Sequence, residues 1–133
     1  MALGIATTIR NTKVQAIQAA ADDSGGATLK LYTSPQPATG GSVGGASLLA
    51  TFTLPNPCAP SASGGVLTLN AISSVSASGS GTAVWARLAD GSGTFVADCT
   101  VGTSGTDIIL GTNVLTSGLT VAITSATVTA GNA

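Results

Sequence analysis

The amino-acid pattern predicts a mainly β fold: an antiparallel β-sandwich of seven or eight strands, jelly-roll-like or immunoglobulin-like, with one N-terminal α-helix. Three observations carry this expectation. Short runs of alternating apolar and polar residues recur between glycine-, proline- and serine-rich breaks at the spacing of sandwich strands. One segment near the start, ATTIRNTKVQAIQAAAD, has no Gly or Pro and is rich in helix formers. Apolar residues make up 44% of the chain but aromatics only 3%, so the core must be built from Ala, Val, Leu and Ile. At 133 residues the chain reads as a single domain (1–133), with a helical segment over 1–25 and the sandwich over 26–133.

The helix is expected from Ala6 to about Asp22. Thr7 or Thr8 is placed to cap its start, and Ser24-Gly25-Gly26 ends it. Ile9, Ala16 and Ala20, with Thr12 between and Ile17 beside them, form one stripe suited to close packing on a sheet or a neighbouring subunit. Arg10 and Lys13 read as a solvated face. Ala27 to Thr33 is the first strand, with Leu29 and Leu31 inward and Lys30 and Tyr32 outward. Ser34 to Ala46 is an aperiodic loop, long enough to reach across to another molecule. Ser47 to Leu54 follows as a strand that puts Leu48, Ala50, Phe52 and Leu54 on one face. The proline loop Pro55 to Pro60 cannot join a central ladder. Val66 to Ile72 is the next strand, and Ser73 to Gly81 is turn material.

The clearest stretch is GTAVWARLADGSGTFVADCTVG, Gly81 to Gly102. Val84, Ala86 and Leu88 point one way and Trp85 and Arg87 the other. On the returning arm Phe95, Ala97, Cys99 and Val101 share a face, opposite Val96, Asp98 and Thr100. Alternation on both sides of Asp90-Gly91-Ser92-Gly93, whose glycines tolerate positive φ, predicts an antiparallel hairpin. Trp85, Arg87 and Asp98 then share one face. The cross-strand pair Arg87–Asp98 is worth about 0.2–1 kcal/mol, and the guanidinium is placed to lie on the indole. Core packing of Trp85, worth roughly 1.5–3 kcal/mol, outweighs a sugar-binding platform because no second aromatic is expected beside it. Thr106 to Leu110, Val114 to Leu115 and Leu119 to Thr129 complete the strands. Leu119, Val121 and Ile123 are expected inward, with a break of phase at Ser125.

Charged residues are 7% of the chain, there is no His, and the formal net charge is −1. Soluble domains ordinarily carry about 25% charge, so much of this surface is expected to be covered by neighbours, as in a homo-oligomer, fibre or shell. Only Arg10, Lys13, Lys30 and Arg87 are cationic, which argues against a nucleic-acid groove. Every apolar run is interrupted well short of a membrane span. No signal sequence is visible, and cytoplasmic synthesis is expected. Cys58 and Cys99 allow one disulfide, but a cytoplasmic chain favours free thiols.

The residues reveal no chemical site. A nucleophilic Ser or Cys has no histidine base. Asp22-Asp23 reads as a solvated helix end and Asp90 as a turn residue capping its own backbone. Two cysteines without histidine fall short of a zinc site. Asp90-Gly91-Ser92-Gly93 lacks the oxygen spacing of a calcium loop, and no Gly-rich stretch continues into GK[ST]. No catalytic, cofactor-binding or metal residue is therefore expected, and no enzyme.

The succession LKLYTSPQPATGG, SLLATFTL, GGVLTLNAIS, GTAVWARLADGSGTFVADCTVG and DIILGTNVLTSGLTVAITSATVT, after an N-terminal helix, resembles small β-rich virion structural proteins of tailed bacteriophages and prophages. The resemblance spans nearly the whole chain. It is most specific at Leu31-Tyr32-Thr33 with Gln36-Pro37-Ala38, and at Trp85-Ala86-Arg87-Leu88 with Val101-Gly102. The PNPCAP loop departs from it. The resemblance implies a capsid decoration or cement protein on the virion, with the major capsid protein and copies of itself as partners. A tail component is the alternative. A pilin- or adhesin-type sandwich with Cys58 bridged to Cys99, and a carbohydrate-binding module, rank below it.

Overall fold

The computed structural model describes residues 4–129. The fold is mainly β with one helix, α1 (Thr7–Asp22). Eleven strands follow: β1 (Thr28–Tyr32), β2 (Leu48–Thr53), β3 (Val66–Thr68), β4 (Val75–Ser76), β5 (Gly81–Thr82), β6 (Trp85–Ala89), β7 (Phe95–Gly102), β8 (Ile108–Leu110), β9 (Val114–Leu115), β10 (Thr120–Val121) and β11 (Ile123–Thr129). Seven of them form one sheet in the order β2-β1-β6-β7-β8-β11-β3, and β10-β4 and β5-β9 form two small ladders. A single apolar cluster joins the inward residues of the large sheet to Val14 and Ala21 of α1, Leu115 of β9 and Val121 of β10. This arrangement accords with the expected sandwich. One pair departs from antiparallel order: β7 and β8 run parallel, Val101 opposite Ile108. The Asp107 carboxylate, at the end of the linking loop 103–107, accepts the Thr100 N–H at 3.0 Å.

Several strands are shorter or shifted relative to the sequence expectation. The run from Val66 stays in the sheet only to Thr68, because Asn70 N–H then turns to the Cys58 carbonyl. Within Ser73–Gly81 lies β4, which pairs with β10. The final strand is split at Ala122, and Leu119 is 40% exposed rather than inward. The pairing slips between Ile123 and Ser125, where a break of phase was expected.

Two β-bulges decide which side chains reach the core. Leu31 pairs with Ala50 but Tyr32 with Leu48, so Leu49 is the extra residue and turns inward. Leu48, expected inside, is 40% exposed. Likewise Leu88 pairs with Ala97 but Ala89 with Phe95. Val96 is inserted, and Phe95 swings to the face of Arg87. An inserted residue reverses the phase of everything beyond it.

The helix also packs differently from expectation. It buries Val14 and Ala21, with Ile17 half-covered, and leaves Ile9, Thr12, Ala16 and Ala20 exposed. The reason lies in a polar row on the inner side, where Asn11, Gln15 and Asp22 bind the backbone of the loop between β2 and β3. Asn11 accepts from Gly65 N–H at 2.7 Å, Gln15 from Ala62 N–H at 2.7 Å, and Asp22 from Cys58 N–H at 3.0 Å. Those loop amides have no strand partner, and leaving them buried and unpaired would cost more than exposing alanine. Arg10 is half-buried against Gly65, not on a solvated face. No threonine caps the helix: Ala6 is the N-cap residue, its carbonyl taking the N–H groups of Ile9 and Arg10.

Candidate functional site

The strand register places three rows of side chains across the outer face of β2, β1, β6 and β7. They are Leu48-Tyr32-Trp85-Thr100, Thr51-Lys30-Arg87-Asp98 and Thr53-Thr28-Ala89-Phe95. Arg87 and Asp98 are directly opposite, with Nε to Oδ1 at 2.8 Å and Nη2 to Oδ2 at 3.1 Å. Their side chains are only 17% and 3% exposed. The guanidinium lies between two rings, 5.3 Å from the Trp85 centroid and 5.2 Å from that of Phe95. Tyr32 stacks on Trp85 at 4.6 Å with 17° between planes. Trp85 therefore has the aromatic neighbour that the sequence reading did not assign to it. The Asp98 hydrogen bond holds the Arg87 pKa above its ordinary value, against the opposing effect of burial.

The loop 34–46 crosses this stack instead of reaching to another molecule. Its Gly40 N–H donates to Asp98 Oδ2 at 3.1 Å, and its start is fixed by Trp85 Nε1–H donating to the Thr33 carbonyl at 2.9 Å. Gly40 sits at φ +70° with the Phe95 ring so close that a Cβ would stand 3.2 Å from it. Trp85 is fully buried. It presents no open ring face to a sugar, and the cluster's chemistry is that of a clamp holding loop to sheet. Phe95 and Gly40 were not legible as members, because the bulge at Val96 and the path of a glycine-rich loop leave no periodic trace.

The remaining carboxylates serve the same end. Asp90 Oδ1 accepts the N–H groups of Ser92 and Thr94, both at 2.9 Å, and these bonds lower its pKa. Gly93 takes φ +91° in this turn. Gly91 does not adopt positive φ; it is required because a Cβ there would overlap the Ser24 carbonyl. Asp22, Asp90, Asp98 and Asp107 thus each accept a backbone N–H. Only Asp23 of the five aspartates lacks such a bond among the described residues.

Cys58 and Cys99 are both buried free thiols, one under the end of α1 and one on β7. Burial, reinforced by nearby carboxylates, pushes each thiol up to about 12. Three surface recesses are lined by 68–72 with 123–126 (150 Å³), by 111–112, Leu115, 120–122 and Thr124 (180 Å³), and by Asn11, Thr12 and Gln15; no titratable side chain lines these three. Among the described residues no three of His, Cys, Asp or Glu gather where a metal could bind. No described helix is long and apolar enough to cross a membrane. No protein-family model matches the chain, and no curated protein and no solved structure is significantly similar to it.

Proposed function

We propose that this chain is a structural subunit of a virion of the tailed-phage type, a capsid decoration protein that binds the assembled capsid lattice and stabilises it through contact area. One observation supports this reading above the others: the protein spends its few charges on itself. Four aspartates are bound to its own backbone and Arg87 is closed into an ion pair. The outward residues are then mainly Thr, Ser, Gly and Ala, with Ile9, Leu48, Val84, Phe95, Val114 and Leu119 exposed among them. Such a surface offers little steering or solvation and gains from being covered.

A subunit that binds only the assembled shell stabilises that shell by mass action, and many weak contacts sum through multivalency. The placement on a capsid comes from the resemblance in the strand motifs; the sparsely charged surface supports a contact role. The test is quantitative protein analysis of purified particles. Many copies per particle, together with loss of heat resistance when the chain is omitted, are expected. A handful of copies would assign it to the tail, and absence from particles would overturn the reading.

A further inference from the structure

Helix α1 turns a coherent row of side chains away from the molecule. Ile9, Lys13, Ala16, Ala20 and Asp23 recur at alternating steps of four and three and are all exposed, Ile9 at 55%. A four–three repeat is the spacing of a helix seam that meets another helix. The inner side of α1 is already occupied by Val14, Ala21 and the polar row on the β2–β3 loop. The side chains of Lys13 and Asp23 form no hydrogen bond or ion pair with any described residue, although the chain pairs or binds most of its other charges.

We propose that this row is a self-association surface whose occupant is α1 of a second copy, packed antiparallel across a two-fold axis near Gln18. Charge complementarity selects that occupant. A two-fold centred between Ala16 and Ala20 sets Lys13 of each copy against Asp23 of the other, giving two symmetry-related ion pairs. A parallel arrangement would set lysine on lysine. Ala16 and Ala20 then meet at the crossing, where small side chains let helix axes approach to about 8 Å. Ile9 of each copy falls beyond Asp23, over the Ser24-Gly25-Gly26 turn of its mate. The helix has 16 residues and is about 24 Å long, so the contact is smaller than the roughly 1,200 Å² of a stable interface. It is a weak, reversible dimer contact, the kind that contributes once subunits are concentrated on a lattice.

This pairing deepens the virion-subunit reading, yet it fails or stands separately from it. Sedimentation equilibrium of the full chain should show the apparent mass doubling as concentration rises toward about 1 mM. The single reversals Lys13→Asp and Asp23→Lys should each weaken association about tenfold or more, and the double reversal should restore it. Circular dichroism checks that each variant folds. A monomer at every concentration, or association indifferent to the single reversals, overturns the proposal. So does a double variant that fails to recover. Abundant copies on particles alongside a monomeric isolated protein would retire the helix pairing and keep the coat role; a charge-swappable dimer absent from particles would do the reverse.

Discussion

Trp85 shows what one side chain secures. Its ring stacks with Tyr32 and carries the Arg87 guanidinium, and its N–H anchors Thr33. Trp85→Ala should cost about 3–5 kcal/mol in urea unfolding, and Trp85→Phe less, losing chiefly the bond to the Thr33 carbonyl. Asp98→Asn should cost about 1–3 kcal/mol, since it weakens the grip on Arg87, whose partial exposure limits the penalty. The cysteines give a pH dependence. Each thiol's folded pKa of about 12 lies above the reference 9.0, so the folded state holds its proton more tightly. Stability is complete below pH 9 and falls as pH rises toward 12. Both thiols should resist alkylation at pH 8 in the folded protein and react once urea unfolds it. The pair Arg87–Asp98 was readable from alternation because both residues lie beyond the bulge from the turn, where each arm alternates without a break. Phe95 was not, since one inserted residue reversed its side.

Glycine and the polar row of α1 govern how elements meet. Gly91→Ala forces a methyl into the Ser24 carbonyl and should destabilise by about 1–3 kcal/mol. Gly111→Ala, in open space and without positive φ, should be neutral or slightly stabilising by the same denaturation assay. Gln15→Ala removes the acceptor for Ala62 N–H, at a cost of about 1–2 kcal/mol, and hydrogen exchange should accelerate first in the loop between β2 and β3. The existence and type of the long elements were legible: α1, β1, β2, β6 and β7 stand close to where alternation and glycine breaks placed them. The helix's inner face was not, because an apolar stripe was sought where amide acceptors at positions 11, 15 and 22 decide the packing. A polar row at helical spacing, in a chain with few charges, was the signal available for it.

At the level of the folded chain, the absence of histidine and the internal use of aspartates predict a stability profile that is flat between about pH 5 and 8.5, where no remaining side chain titrates. On the acid side, the backbone bonds to Asp90 hold its pKa below 3.8. Their contribution is present above that value and disappears as pH falls through the folded-state pKa. Thermal unfolding across pH 3–9 checks both arms. The two-residue strands β4 and β5 escaped sequence reading because so short a run carries no periodicity, whereas their partners β10 and β9 fall on strands that the sequence predicted. The sole tryptophan, meanwhile, is fully buried and bonded to Thr33, where the glycine-rich loop 34–46 begins. The protein consequently carries its own optical gauge. Blue-shifted emission, shielded from acrylamide, should mark the folded state, and any partner that pulls Thr33 and the loop after it away from Trp85 would redden that light without an added label.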